Sequence, residues 1–64
     1  MTIEDNFKNA PQNKPIYLID NYHNLYIGTV YKKNGVWYRG ECLKGDPDCF
    51  YRFAIVNWAI INKE

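Results

Sequence analysis

Sixty-four residues, 47% of them apolar and 17% aromatic, make one small domain with a core of large side chains and exclude a disordered tail. Eight Lys and Arg against seven Asp and Glu leave a formal charge of +1, so no overall field draws in nucleic acid or an anionic membrane. The chain has no Ser, one His and two Cys, which excludes a Ser-based triad and leaves a structural zinc site short of ligands.

Residues 1–15 read as an N-terminal arm, and residues 16–64 as a single β domain. Thr2 is placed to cap a short helix over residues 3–9, with Glu4 and Asp5 in its first turn and Pro11 and Pro15 ending it. The alternative for this stretch is a frayed arm. The N-terminus has neither a basic n-region nor an apolar h-region, so no signal peptide is expected. With apolar runs far shorter than a membrane span, the sequence predicts a cytoplasmic protein with both Cys as thiols.

The next segments alternate as strands: residues 16–20, then 25–33 after the turn at Asn21-Tyr22-His23-Asn24, then 36–42 after Asn34-Gly35. Asn-Gly between strand-forming residues is the strongest short-range hairpin signal, because a type I′ turn needs positive φ at both central positions. That turn pairs Tyr31 with Tyr38, Lys32 with Trp37, Val30 with Arg39 and Ile27 with Cys42. Gly28 and Gly40, nearly opposite, predict a bulge or a bend. Asp46-Pro47-Asp48-Cys49 suits a type I turn. A fourth strand is expected over 49–57, with Cys49 facing Cys42, Phe53 facing Tyr38 and Arg52 facing Arg39. Residues 58–61 read as a fifth strand or a helical turn.

Alternation sorts these residues into two faces. Ile27, Thr29, Tyr31, Val36, Tyr38, Cys42, Cys49, Tyr51, Phe53 and Ile55, joined by Ile16 and Leu18, carry no charge and are expected to form the core. Tyr26, Val30, Lys32, Trp37, Arg39, Glu41, Phe50, Arg52, Ala54 and Val56 are expected to face outward. The fold class that follows is mainly β: a strongly bent antiparallel sheet of four or five strands, closed as an SH3-like barrel or left as an open meander, with room for a short N-terminal helix.

The candidate partner-binding residues lie on the outward set: Tyr26, Lys32, Trp37, Arg39, Phe50 and Arg52. Interleaved aromatic and cationic groups suit a phosphate or a partner's acidic side chain, with Trp37 as a stacking surface; an ordinary solvated sheet face is the alternative. Asp46, Asp48 and Glu41 lack the ligand spacing of a calcium loop. Cys–His chemistry would require His23, in a turn, to meet a Cys expected in the core. The four Gly are scattered and build no phosphate loop. No catalytic residue, metal or cofactor is expected, and the chain reads as a non-enzyme.

Three stretches, Ile16-Tyr17-Leu18-Ile19-Asp20, Asn34-Gly35-Val36-Trp37 and Ile55-Val56-Asn57-Trp58-Ala59-Ile60, carry a resemblance. Through them the span from Lys14 to Ile61 resembles a group of small phage and prophage β-sheet proteins with a Trp-containing C-terminal strand. It departs from that group in having Asn57-Trp58-Ala59 where His-Trp and then Met-Pro are usual. The resemblance implies a phage-type accessory protein and carries no site residues. The expected function is therefore surface occupation of a larger host protein, such as a defence nuclease or the transcription machinery, in the host cytoplasm. The alternatives are a nucleic-acid-binding module using the Trp and Arg face, and a protein that sequesters a nucleotide with paired Arg. Strand edges offer a route to a homodimer.

Overall fold

The computed structural model describes residues 2–3 and 7–61. Five strands and one short helix follow each other as β1 (Thr2–Ile3), β2 (Ile16–Asp20), β3 (Leu25–Lys33), β4 (Val36–Lys44), α1 (Pro47–Arg52) and β5 (Ile55–Ala59). The strands form a single antiparallel sheet in the order β1-β4-β3-β2-β5. The fold is mainly β, and the sheet is open: its end strands β1 and β5 do not meet, so it is not a closed barrel.

Asn34 and Gly35 both take positive φ, at 54° and 78°, and reverse the chain between β3 and β4 as the Asn-Gly signal requires. Tyr31 pairs with Tyr38, Lys32 with Trp37 and Val30 with Arg39. Further along, β4 carries extra residues. Gly28 lies opposite Cys42, and Ile27 opposite Lys44 rather than Cys42, so a bulge interrupts the ladder on each side of Gly28. Each extra residue flips the parity of β4. That is why Cys42 turns toward the core while Lys44 returns to the other side with Ile27.

The turn at 21–24 is organised by one carboxylate. Asp20 Oδ1 accepts the backbone N–H groups of Tyr22 (2.8 Å) and Asn24 (2.9 Å), and His23 takes a left-handed φ of 67°. This turn pairs Leu18 with Tyr26 and Ile16 with Gly28. Ile16, Leu18 and Asp20 therefore share a face with Tyr26, Val30, Trp37 and Arg39, and that face is buried. Ile16, Leu18 and Ile55 are buried as expected, but the two faces of the β3–β4 hairpin are the reverse of the expectation. Of the set expected to face outward, Tyr26, Val30, Trp37, Arg39 and Phe50 are in the core, while Lys32, Glu41, Arg52 and Val56 are exposed. Ile27, Thr29, Tyr31, Val36 and Tyr38 lie half-buried on the opposite side.

The expected fourth strand over 49–57 is also corrected. Asp46 caps a helix, its side chain accepting the N–H of Asp48 at 3.0 Å, and Pro47 occupies the first turn, where its missing N–H costs nothing. The chain is helical to Arg52 and only then extended in β5, so the facing pairs Cys42–Cys49, Tyr38–Phe53 and Arg39–Arg52 do not form. The helix sets Phe50, fully buried, onto the sheet at Gly28. A Cβ at Gly28 would stand 2.6 Å from the Glu41 carbonyl oxygen and 3.2 Å from the Phe50 ring, so the absent side chain is what lets the helix sit this close.

The arm is docked where it is described. Phe7 and Ala10 are buried in the core, and the Ala10 N–H closes a turn onto Phe7 O at 2.9 Å. The Asn13 N–H donates to Val30 O (2.8 Å), and Gln12 Oε1 accepts the Lys32 N–H (3.0 Å), continuing the ladder along β3 beyond β2. Thr2 and Ile3 belong to a strand and not to the expected helix; residues 4–6, which that helix would also span, lie outside the described residues.

Candidate functional site

The six predicted contact residues do not form a surface. Tyr26, Trp37, Arg39 and Phe50 are buried, and only Lys32 and Arg52 are exposed. The physical reason is the covering layer. The N-terminal arm and α1 close over this face, bringing Phe7 and Phe50 against Tyr26, Val30 and Trp37, with Ile55 joining the same cluster from the neighbouring sheet strand β5. Tyr26 and Phe50 meet edge to face at 5.4 Å, and Phe7 lies 6.3 Å from Trp37.

Arg39 misled the sequence reading because a mid-strand charge normally faces water. Here it is only 8% exposed and serves α1. Its Nη1 donates to the carbonyls of Phe50 and Phe53, the latter at 2.6 Å, satisfying acceptors that the helix end leaves open. A cation at a helix C-terminus also meets the negative end of the helix dipole. Its Nη2 is buried with no hydrogen-bond partner among the described residues. Burial pulls the guanidinium below its usual value, and the oxygens of Tyr26 and Tyr51 act in the opposite sense.

Asp20, 1% exposed, is the second buried charge. Besides the two backbone N–H groups, its Oδ2 accepts the Tyr26 hydroxyl at 2.6 Å and the Asn24 side-chain amide at 2.9 Å. Burial alone would raise this carboxyl. The hydrogen bonds from Tyr26, Asn24 and Tyr22 outweigh it and hold the group below the usual carboxylate value. Both buried charges are thus fastened to structural partners.

What remains for function lies on the opposite side of the sheet. Along β2, β3 and β4, Tyr17, Ile19, Ile27, Thr29, Tyr31 and Tyr38 are half-buried and uncharged, and Leu25 at the margin is 58% exposed. Tyr31 and Tyr38 stack across the hairpin with centroids 5.5 Å apart and planes 24° from parallel. Thr29 leans over Gly40, and its Oγ1 accepts the Glu41 N–H at 2.8 Å, satisfying a donor exposed by the bulge. Lys33 and Lys44, opposite Val36 and Ile27, mark the two ends of this face. A groove of about 410 Å³ opens at the Lys44 end, lined by Tyr17, Leu25, Tyr26, Ile27, Lys44 and Gly45. An uncovered antiparallel face ordinarily alternates to polar residues, and this one does not.

A smaller cleft, about 290 Å³, lies at the hairpin tip between Lys8, Lys32, Gly35 and Trp37. Lys32 Nζ stands 5.9 Å from the Trp37 ring centroid, within cation–π range. Cys42 and Cys49 are free thiols. Among the described residues no group of three or more His, Cys, Asp or Glu stands together as a metal site, and no helix is long and apolar enough to cross a membrane. Comparison with family models, with curated proteins and with solved structures returns no match.

Proposed function

We propose that this chain is a non-enzymatic binding protein that works by laying the uncovered face of its sheet on another protein. The observation that carries this reading is the strip of Tyr17, Ile19, Ile27, Thr29, Tyr31 and Tyr38, six uncharged and only half-buried side chains on the side of the sheet away from the core. Tyr supplies large contact area at low entropic cost and is enriched at interface centres, while charge is depleted there. The likeness to phage accessory proteins supports a larger host protein as the partner, a defence nuclease or part of the transcription machinery, engaged and inhibited in the host cytoplasm. The test is capture from host lysate with tagged wild-type chain, and with Ile27→Glu and Tyr31→Glu variants whose folding is verified by circular dichroism. A partner held by the wild type and lost by both variants supports the reading. A partner retained by both, or lost instead on Arg52→Glu, overturns it.

The cleft at Trp37 favours one second reading, nucleic-acid binding, since Lys8 and Lys32 flank an aromatic edge there. Such binding would collapse as salt is added. A mobility-shift assay with single- and double-stranded oligonucleotides at two salt concentrations checks it, and no shift at low salt removes it. Nucleotide sequestration by paired Arg loses its basis, because Arg39 is committed to α1.

A further inference from the structure

We infer that Asn34 is a self-modification site: the folded hairpin tip converts it to aspartate and isoaspartate without an enzyme, by attack of the Gly35 amide nitrogen on the Asn34 side-chain carboxamide.

The step balances on these two residues and water. The Gly35 nitrogen gives its proton to solvent and bonds to Asn34 Cγ. The bond from Cγ to Nδ2 breaks, and Nδ2 takes a proton from solvent and leaves as ammonia. A five-membered succinimide remains, and water opens it at one of two carbonyls. Opening at Cγ gives aspartate with the main chain unchanged. Opening at the main-chain carbonyl gives isoaspartate, whose chain runs on through Cβ and Cγ.

Three features select Asn34 from the eight Asn of the chain. The attacking nitrogen is free: the ladder beside the turn pairs Lys33 with Val36, and among the described residues the Gly35 N–H donates to no acceptor. After other Asn the same nitrogen is tied. Ala10 N–H donates to Phe7 O, Tyr22 N–H to Asp20 Oδ1 and Trp58 N–H to Asn57 Oδ1, while the Asn24 side-chain amide is itself bonded to Asp20 Oδ2. Access is open as well. Asn34 and Gly35 are both exposed, and even a Cβ added to Gly35 would meet nothing within 4 Å. Charge acts in the same direction. Lys32 and Lys33 precede the turn, and Lys8 shares a cleft with Gly35, so cations favour the anionic nitrogen that attacks.

The two products differ in effect. Aspartate lowers the formal charge from +1 to 0 through its one new carboxylate, and Asp-Gly also suits a type I′ turn. Isoaspartate adds a main-chain carbon to a two-residue loop that sets the pairing of Lys33 with Val36, Lys32 with Trp37 and Tyr31 with Tyr38. The tip therefore carries a slow, one-way change in the register of its own hairpin.

The test holds purified wild-type chain at physiological temperature and mildly alkaline pH, with folding followed by circular dichroism and a parallel sample in urea. Trypsin cuts after Lys33 and Arg39 and isolates residues 34–39 for mass spectrometry. That peptide should exchange amide for acid at least about tenfold faster than any other described Asn of the folded chain. Isoaspartyl methyltransferase should label it. After ion-exchange separation, the isoaspartyl form should melt below fresh chain, and the aspartyl form close to it and to Asn34→Asp. A 34–39 peptide that stays intact in the folded chain and reacts only in urea overturns the inference, as does a rate no greater than at the other Asn. An isoaspartyl form that melts like fresh chain overturns the link to register.

Discussion

Tyr26→Phe removes one oxygen from the interior and leaves the ring in its edge-to-face contact with Phe50. What disappears is the hydroxyl's 2.6 Å bond to Asp20 Oδ2. A hydrogen bond to a charged group contributes about 1.5–3 kcal/mol. Asp20 keeps its bonds from Tyr22 N–H, Asn24 N–H and the Asn24 side chain, so the carboxylate is not stranded and the loss stays within that range. For a chain of 64 residues the entropy of unfolding near the midpoint is about 0.13 kcal/mol/K, so the melting temperature should fall by about 11–22 °C. The pH dependence carries a second signature. Asp20 is depressed in the folded state, so its contribution is present above the unfolded value of about 3.9 and is lost as pH falls through the folded one. Burial first, and Asp20 second, raise the Tyr26 phenol, so its contribution is complete below about pH 10 and fades as pH rises further. The variant should therefore lose part of the acid-limb dependence and the share of the alkaline limb that Tyr26 supplies, leaving the share of the raised Cys42 and Cys49 thiols. Thermal unfolding followed by circular dichroism across pH, with carbon-13 titration of the Asp20 carboxyl, reads both. A melting temperature within about 3 °C of wild type, together with an unmoved Asp20 titration, would refute the reasoning.

Gly28→Ala should destabilise by about 1–3 kcal/mol in a denaturant titration, because the new methyl meets a backbone carbonyl that cannot swing away. Arg39→Met leaves the Phe50 and Phe53 carbonyls unpaired inside the molecule and should cost about 2–4 kcal/mol, with faster amide exchange in α1; Arg52→Glu, on an exposed side chain, should move stability by under about 1 kcal/mol. The thiols of Cys42 and Cys49 are both held above the usual value, by burial first and then, for Cys49, by the Asp46 carboxylate. Both should react with a disulfide reagent at neutral pH more slowly in the folded chain than in denaturant, and equal rates would contradict that assignment.

The hairpin was legible because Asn34-Gly35 prescribes a backbone conformation, and conformation prescribes pairing. The choice of face was not, because it turned on Arg39. An arginine beside water and an arginine beneath a helix end read alike, and the helix itself was hidden in Asp46-Pro47-Asp48, which serves equally as a type I turn and as a cap with proline in the first turn. One clue did lie in the sequence. The turn at 21–24 aligns Leu18 with Tyr26, so the apolar residues of β2 side with Tyr26, Val30 and Trp37 and not with Ile27 and Tyr31. The parity change at Gly28 had a local sign in Gly28 and Gly40, but the number of inserted residues depends on how Thr29 and Glu41 settle the ladder, which is a tertiary matter. The uncharged strip was recognised correctly as apolar and then assigned to the interior, the natural conclusion for a face whose covering is unknown.

Asp20 and Arg39 are each solvated by dipoles of the protein: a hydroxyl and amides for one, peptide carbonyls for the other. Mobile ions weaken attraction between separated charges, but they do not reach short contacts sealed from solvent. The fold thus keeps its two deepest charges without asking them to find one another, and its resistance to unfolding should be nearly the same in dilute buffer and in a concentrated cell interior.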